Sequence, residues 1–409
     1  NSPDLLADDL QTIAAWTDQS SERIKIARMA PQAVENLNVT YTYDSGGNVT
    51  RIDGWESGVW TSSYDALNRM TTSTDSWGRQ TSYEFDHLGR RTKLIYPNAL
   101  QITYTYDAAN RMTAVKEGAT THASYGYDNA NRRTSRTLAN SVITTYAYDS
   151  ASQLTTLTTV SGATTLNVCT YTYDNRGNRS TRADLDGTHT YTYDSISEVT
   201  RAQYPSGLDQ RYTFDSVQNR TTDSQLGTQT TYTINVLNQI TQAVKGSETT
   251  TYGFDRLGNM ISRVKSSGLS ETYQHDLLNQ LRSVQRNGME AARYSYDPMG
   301  RRIAKTESGA YQSYAWAGID LIEVRDSGNN VTTIYIYGPT IDEPIIQRRS
   351  GLDHYYSHDG LGSITELTDT SGNLAERYKY DVYGRVTIYD SAGFTRASTA
   401  HGNRYYFTG

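Results

Sequence analysis

The sequence predicts an all-β protein of tandem antiparallel β-hairpins, repeating at about 21 residues and joined into one long ribbon. Three observations predict it: an Asp that recurs at a fixed interval, an apolar content dominated by tyrosine, and a period of two between the Asp positions. Self-similarity at a fixed spacing is the mark of repeat architectures, whose stability is a sum of neighbour contacts rather than one central core. An aromatic–x–aromatic–Asp signature places its Asp at Asp44, Asp65, Asp86, Asp107, Asp128 and Asp149, in equal steps, with Ser63 replacing the first aromatic at Asp65. It continues through Asp174, Asp194, Asp215, Asn235, Asp255, Asp276 and Asp297. The wider step from Asp149 to Asp174 breaks the rhythm, and Ser161-Gly162-Ala163 reads there as a lengthened turn.

The residue before the Asp is Tyr43, Tyr64, Phe85, Tyr106, Tyr127, Tyr148, Tyr173, Tyr193, Phe214, Phe254 or Tyr296, and Tyr380 before Asp381 repeats the pattern near the end. Three residues after it sits Gly, Asn or another small polar residue: Gly47, Asn68, Gly89, Asn110, Asn131, Ser152, Gly177, Ser197, Gln218, Asn238, Gly258, Asn279 and Gly300. Gly and Asn tolerate positive φ, and the Asp carboxylate accepts backbone N–H groups just after it, so Asp-x-x-Gly/Asn marks a short hairpin loop. Around the turns Val39, Tyr41 and Tyr43 alternate with Thr40 and Thr42, the period of a strand. Each unit is two strands and two turns, and a constant repeat length stacks the tyrosines of successive hairpins into ladders. These Tyr and Asp residues are read as structural.

Composition supports a half-wet sheet. The chain has 409 residues, 36% of them hydrophobic, with 34 Tyr against 5 Phe and 5 Trp. Tyrosine buries its ring while its hydroxyl reaches water or a carbonyl, which suits a sheet with two semi-exposed faces. A net charge of −6 leaves no basic footprint for nucleic acid or an anionic membrane. A single cysteine, Cys169, excludes an internal disulfide framework and is read as a small strand residue. No run of 18 apolar residues predicts membrane insertion. The chain begins at Asn1 and is expected to be a piece of something larger.

Three regions follow: residues 1–37, a short N-terminal helix and linker; 38–305, the hairpin array; and 306–409, a C-terminal part. In the first, Ser2-Pro3-Asp4 offers a helix start, and Leu5, Leu6, Leu10, Ile13 and Ala14 follow at helical spacing to about Trp16. Such a helix would brace the first hairpin edge.

The signature Y-x-Y-D-x-x-G/N-R closely resembles the RHS or YD-repeat proteins, over roughly residues 38–409. The end resembles the C-terminal part of the RHS core, in Tyr335-Ile336-Tyr337-Gly338-Pro339 and Tyr355-Tyr356-Ser357-His358-Asp359-Gly360-Leu361-Gly362-Ser363, where Asp359 stands one place early. Tyr378-Lys379-Tyr380-Asp381-Val382-Tyr383-Gly384-Arg385 and the terminal Arg404-Tyr405-Tyr406-Phe407-Thr408-Gly409 are similar to two further family signatures. The resemblance implies a ribbon wound into a spiral shell around a polypeptide, as in polymorphic toxins, wall-associated bacterial proteins and teneurins. About 30 strands at roughly 4.8 Å apart make a ribbon on the order of 150 Å long, enough for an open or small shell or a piece of a longer wall.

Chemistry is sparse. His354 and His358, flanked by Asp353 and Asp359, are conceivable metal ligands or hydrolytic groups, but spacing by four converges side chains on a helix, and this stretch reads as strand and turn. Asp184-Leu185-Asp186-Gly187 and Asp326-Ser327-Gly328-Asn329 faintly resemble calcium loops without a full ligand set. A pair of carboxylates for sugar chemistry is conceivable, yet Asp recurring in every repeat is explained by the turn. The sequence therefore predicts no catalytic residues, no metal and no cofactor. It predicts a non-enzymatic shell or scaffold, secreted or at the cell surface, that encloses, protects or displays polypeptide cargo or other segments of a larger parent protein. The alternative is an extracellular adhesion module in which exposed Trp55, Trp60 and Trp77 recognise glycans or a partner protein, with possible self-association through open ribbon edges.

Overall fold

The computed structural model describes residues 12–18, 23–29, 39–54 and 58–407, the first two segments as backbone. Strands Thr12–Asp18 and Arg23–Met29 pair antiparallel, from Thr12 opposite Met29 to Asp18 opposite Arg23. The helix expected up to Trp16 therefore gives way to strand at Thr12, and its earlier part, residues 2–11, lies outside the described residues. The reason is visible in composition: Thr12, Ile13 and Thr17 are β-branched, and Arg23-Ile24-Lys25-Ile26 supplies an alternating partner.

From Thr40–Tyr43 to Thr395–Arg396, 35 strands belong to one sheet. The pairings recorded among the described residues are antiparallel and join strands consecutive in sequence, as in Thr120–Tyr127 with Arg133–Leu138. This is the predicted all-β hairpin ribbon.

The Asp turns share one geometry. At Asp128 the backbone N–H donates to the Arg132 carbonyl at 3.0 Å, and the Asn131 N–H donates back to the Asp128 carbonyl at 3.1 Å. Asn131 has φ +65°, and the ladder slips by one residue between Gly126 and Tyr127. This is a tight turn closed by a left-handed residue and a bulge, the common alternative to a two-residue hairpin loop. At all thirteen positions that carry the small residue, φ lies between 60° and 87°. Ser152, Ser197 and Gln218 adopt it too, so the carboxylate and the ladder outweigh the strain of a side chain there.

The wide step from Asp149 to Asp174 is solved differently from expectation. Gly162 and Ala163 form a tight turn with Ser161 opposite Thr164, and strands Leu154–Ser161 and Thr164–Tyr173 absorb the extra length with 8 and 10 residues. Their β-branched run of Thr and Val favours extension over a longer loop.

The chain forms two compact units. One comprises Asn1–Gln101, Phe254–Ile261 and Glu271–Val331; the other comprises Ile102–Gly253, Ser262–Ser270 and Thr332–Gly409. In the first, Val39, Ile52, Trp60 and Ile303 form a buried cluster with Tyr41, Val49 and Trp316 against it. In the second, Leu157, Cys169 and Tyr171 are buried with Tyr146, Leu154 and Tyr173.

Half-burial holds for repeat strands such as Arg220–Gln225 and fails later in each unit. In the first unit every residue of Asp320–Arg325 after Asp320 is buried, and in the second all of Ile364–Thr368 is. Apolar residues on successive positions, as in Leu321-Ile322 and Ile345-Ile346, are the sequence trace of strands covered on both faces.

Candidate functional site

Two sets of side chains organise the second unit: the Tyr-Asp ladder, and a buried seam between the repeat strands and the segment from Gly338 onward. In the ladder, Asp128 Oδ1 accepts the N–H groups of Ala130 and Arg132, both at 2.9 Å, and Oδ2 accepts Arg132 Nε at 2.7 Å. Arg132 Nη1 then donates to the Asp149 carbonyl at 3.0 Å, and its guanidinium lies 4.9 Å from the centre of the Tyr148 ring. Tyr148 OH donates back to the Arg133 carbonyl at 2.9 Å. One arginine thus ties its own turn to the next repeat's turn and aromatic ring.

The relay recurs from Arg111 to Asp128 and Tyr127, and in the first unit from Arg69 to Asp86 and Phe85. The paired backbone bonds to the carboxylate are also present at Asp44, Asp65, Asp86, Asp107, Asp174, Asp194, Asp215, Asp255, Asp276, Asp297 and Asp381. At Asp149 the Gln153 N–H makes the bond. The Arg69 hydrogen bond holds the Asp65 carboxyl below its ordinary pKa, and the Arg132 N–H does the same at Asp128.

The seam is built of charge pairs far apart in sequence. Strand Arg133–Leu138 presents Arg133 and Arg136 to it. Arg133 grips Glu343 with both terminal guanidinium nitrogens, at 2.6 and 2.9 Å. Fully buried Arg136 donates to His358 Nδ1 at 2.7 Å and to the Tyr356 carbonyl at 3.1 Å. Burial raises the Glu343 pKa, but Arg133 and Arg136 overcome it and set the value at about 2. Burial and then Arg136 push His358 down to about 3, so the ring is neutral. Further along, Arg348 bridges Glu117 at 2.8 Å and Asp353 at 2.6 Å, Arg377 reaches the Leu166 carbonyl, and Lys379 pairs with Asp186.

A strap, Thr399–Phe407, crosses this segment. Buried Glu376 accepts Thr399 Oγ1 at 2.7 Å and the Ala400 N–H at 2.5 Å, Gln347 donates to the His401 carbonyl, and Asn403 accepts Tyr356 OH. Tyr405 then packs edge-on to Tyr335 and Tyr356, and Tyr406 to Tyr378.

The structure separates the two candidate histidines. His358 belongs to Arg136, whereas the His354 ring lies 4.5 Å from that of His401. Asp353 holds Arg348, and Asp359 forms a further Asp turn, accepting the N–H groups of Leu361 and Ser363. Among the described residues no group of three His, Cys, Asp or Glu is placed to hold a metal ion. In the first calcium-like stretch Asp184 pairs with Arg182 at 2.6 Å and His189 at 2.9 Å, and in the second Asp326 caps an ordinary turn through Gly328 and Asn330. Cys169 is buried, and burial raises its thiol to about 11.

Of the three tryptophans expected to be exposed, Trp77 is, at 43%. Trp60 is not: at 5% exposure it anchors the first unit's core, because it faces Val39, Ile52 and Ile303. Trp55 lies outside the described residues.

The family model for the teneurin YD-shell matches residues 178–395, more than half of the chain, and the RHS repeat model matches 64–101, 106–143 and 127–164. The chain belongs to the teneurin YD-shell family. Among curated proteins, this YD-shell chain is 28% identical over 160 residues to the tRNA nuclease WapA of Bacillus subtilis (strain 168), covering 38% of the chain and 6% of that protein. It is 24% identical over 180 residues to double-stranded DNA deaminase toxin A of Burkholderia cenocepacia, covering 36% and 12%.

Among solved structures, the Tc holotoxin pore of Photorhabdus luminescens superposes with a TM-score of 0.74 at 17% identity, over 92% of this chain and 22% of that one. The TcdB2–TccC3 crystal structure gives 0.73 at 16%, over 92% and 23%. The YD-shell chain therefore spans less than a quarter of the solved chains and only a small part of these two curated proteins. The likeness to the solved chains is one of fold.

Proposed function

We propose that this chain is a wall segment of a YD-shell that encloses, protects or displays a polypeptide, either cargo or another part of a larger parent protein, at or outside the cell surface. In this reading the described residues are structural and perform no catalysis. The observation that carries it is the seam: the repeat strands of the second unit already receive a polypeptide, the segment from Gly338 to Phe407, through buried pairs such as Arg133–Glu343 and Arg136–His358. The ladder carboxylates are committed to turns, and His358 is held neutral by burial and by Arg136. The toxin names of the curated relatives fit a wall that travels with an effector.

The natural full-length protein, purified and treated with proteinase K, is expected to leave a polypeptide protected until the shell is denatured. Complete digestion of everything outside the repeat region under native conditions would overturn the reading.

A second reading is an extracellular binding module for carbohydrate or protein, with self-association as its adhesive form. It is favoured by an open polar cleft in the second unit and by the exposed Trp77 ring in the first. Loss of glycan binding in Trp77→Ala would support recognition at the tryptophan.

A further inference from the structure

Two departures from the ladder rules meet at one tyrosine of the second unit. In many repeat turns the Asp Oδ2 is held by an Arg or Asn four residues on, as by Arg132 at Asp128 and by Asn178 at Asp174. Asp359 has Ser363 there, which is too short. Its Oδ1 accepts the Leu361 and Ser363 N–H groups, its Oδ2 makes no hydrogen bond among the described residues, and the Ser363 hydroxyl is buried without a partner. Asp359 is 8% exposed, and burial pushes its carboxyl above the ordinary range.

Arg179 is the second departure. It stands five residues after Asp174, a position that elsewhere in this unit takes groups from the segment beyond Gly338: Arg133 holds Glu343, and the Arg220 guanidinium lies 4.5 Å from the centre of the Tyr383 ring. Among the described residues the Arg179 guanidinium has no hydrogen bond and no ion pair, only the face of Tyr171 at 4.0 Å, and its Nε is buried without a partner. The Gly360 N–H donates to Tyr171 OH at 3.3 Å, so the same tyrosine abuts the Asp359 turn and the free guanidinium.

A pocket of about 340 Å³ opens beside both groups, walled by the half-buried rings of Tyr173, Tyr191 and Tyr193. The hydroxyls of Tyr173 and Tyr193 are tied to the Leu154 and Arg179 carbonyls, which fixes those two rings. The other charged groups of the lining are committed, Arg182 to Asp184 and Asp381 to the Tyr383 and Arg385 N–H groups.

We propose that this pocket receives an aromatic residue of an extended polypeptide, its ring among the tyrosines, its carbonyl accepting from Arg179 and its N–H donating to Asp359 Oδ2. One uncommitted cation beside one uncommitted carboxylate favours a neutral group that both donates and accepts, as a backbone amide does. A ligand of either net charge gains one partner and meets one like charge. A donor at Oδ2 returns solvation that burial took from the carboxylate, and ring packing adds to the gain from aromatic area. The assignment rests on the wall reading and names where the enclosed or displayed polypeptide is held.

The test is saturation-transfer NMR titration of the intact protein with a capped glycine-phenylalanine-glycine peptide, its leucine counterpart, phenylpropionate and phenethylamine. The phenylalanine peptide is expected to saturate, the leucine peptide to bind several-fold more weakly, and the two charged probes more weakly still. Arg179→Ala and Asp359→Asn are each expected to weaken the phenylalanine peptide at least about tenfold. Asp359→Asn keeps the turn acceptor, as Asn235 does in its own turn, and decides the case if the alanine variant unfolds. Phenylpropionate bound as tightly as the peptide would make this an anion site on Arg179, and phenethylamine bound as tightly a cation site on Asp359. Either result overturns the amide assignment. Equal affinity for the leucine peptide would overturn the aromatic one. No saturable peptide binding, or binding unchanged in both variants, would overturn the proposal outright while leaving the wall reading to the protease-protection test. Peptide binding without a protected polypeptide in the natural protein would do the reverse.

Discussion

Arg133 and Glu343, 210 residues apart in sequence, form a two-pronged ion pair with N–O distances of 2.6 and 2.9 Å, in which Glu343 is almost entirely buried. Removing one partner of a buried pair leaves an uncompensated charge, which costs about 3–5 kcal/mol. Glu343→Ala and Arg133→Ala are each expected to lower the urea midpoint of the second unit strongly. The double variant Arg133→Met with Glu343→Leu is expected to recover part of the loss, because buried Arg136 still loses the Glu343 carboxylate. Additive losses would mean that the pair does not act as a unit.

The turn carboxylates are expected to behave as backbone caps rather than as reactive groups. Asp297 is 2% exposed and accepts the N–H groups of Met299 and Arg301 as well as Arg301 Nε. Asp297→Ala strands those donors and is expected to destabilise by about 1–3 kcal/mol. Asp297→Asn, which keeps one acceptor and mimics the natural Asn235, is expected to cost less. Amide exchange at Met299 and Arg301 reads the difference directly.

Stability is expected to fall between about pH 4.5 and 7 because of Glu366. It is fully buried beside Thr365, and burial pushes its carboxyl up to about 7 from the ordinary 4.5. Between those values the folded state holds a proton that the unfolded chain has lost, so the stabilisation is present at lower pH and is lost as pH rises through about 7. Glu343 has the opposite sign: depressed to about 2, it stabilises above pH 4.5, and that contribution disappears as pH falls through about 2. A melting series from pH 5 to 7 is expected to slope downward, and Glu366→Gln to flatten it. An unchanged slope in that variant would remove Glu366 as the cause.

Cys169 is expected to be inert in the native protein. Its thiol is buried and raised to about 11, so the thiolate fraction at neutral pH is negligible. Maleimide labelling is expected to be slow until denaturant is added, then immediate. Fast labelling of the native chain would contradict the burial.

The parts of this fold that repeat were legible in the sequence, because each local rule is restated in almost every hairpin. Asp128 and Asn131 announce a turn by themselves, and the return of the same pair at a constant spacing announces the ribbon. The parts that occur once were not. Nothing near Arg133 names Glu343 as its partner, since the pair is joined by folding rather than by spacing. The strand Thr12–Asp18 was hidden by apolar residues that also suit a helix, and its ladder with Arg23–Met29 decides between them. Trp60 reads as exposed in a polar, Tyr-rich chain until Ile303, from a hairpin far along the chain, covers it.

The central claim, that this YD-shell chain is a wall around a polypeptide, is tested most directly by cryo-electron microscopy of the natural protein with intact-mass measurement on the same sample. A mass well above 45.7 kDa, with closed hollow particles holding internal density, is the predicted result. A mass near 45.7 kDa, with open or chained particles and no internal density, would contradict it and favour the surface binding module.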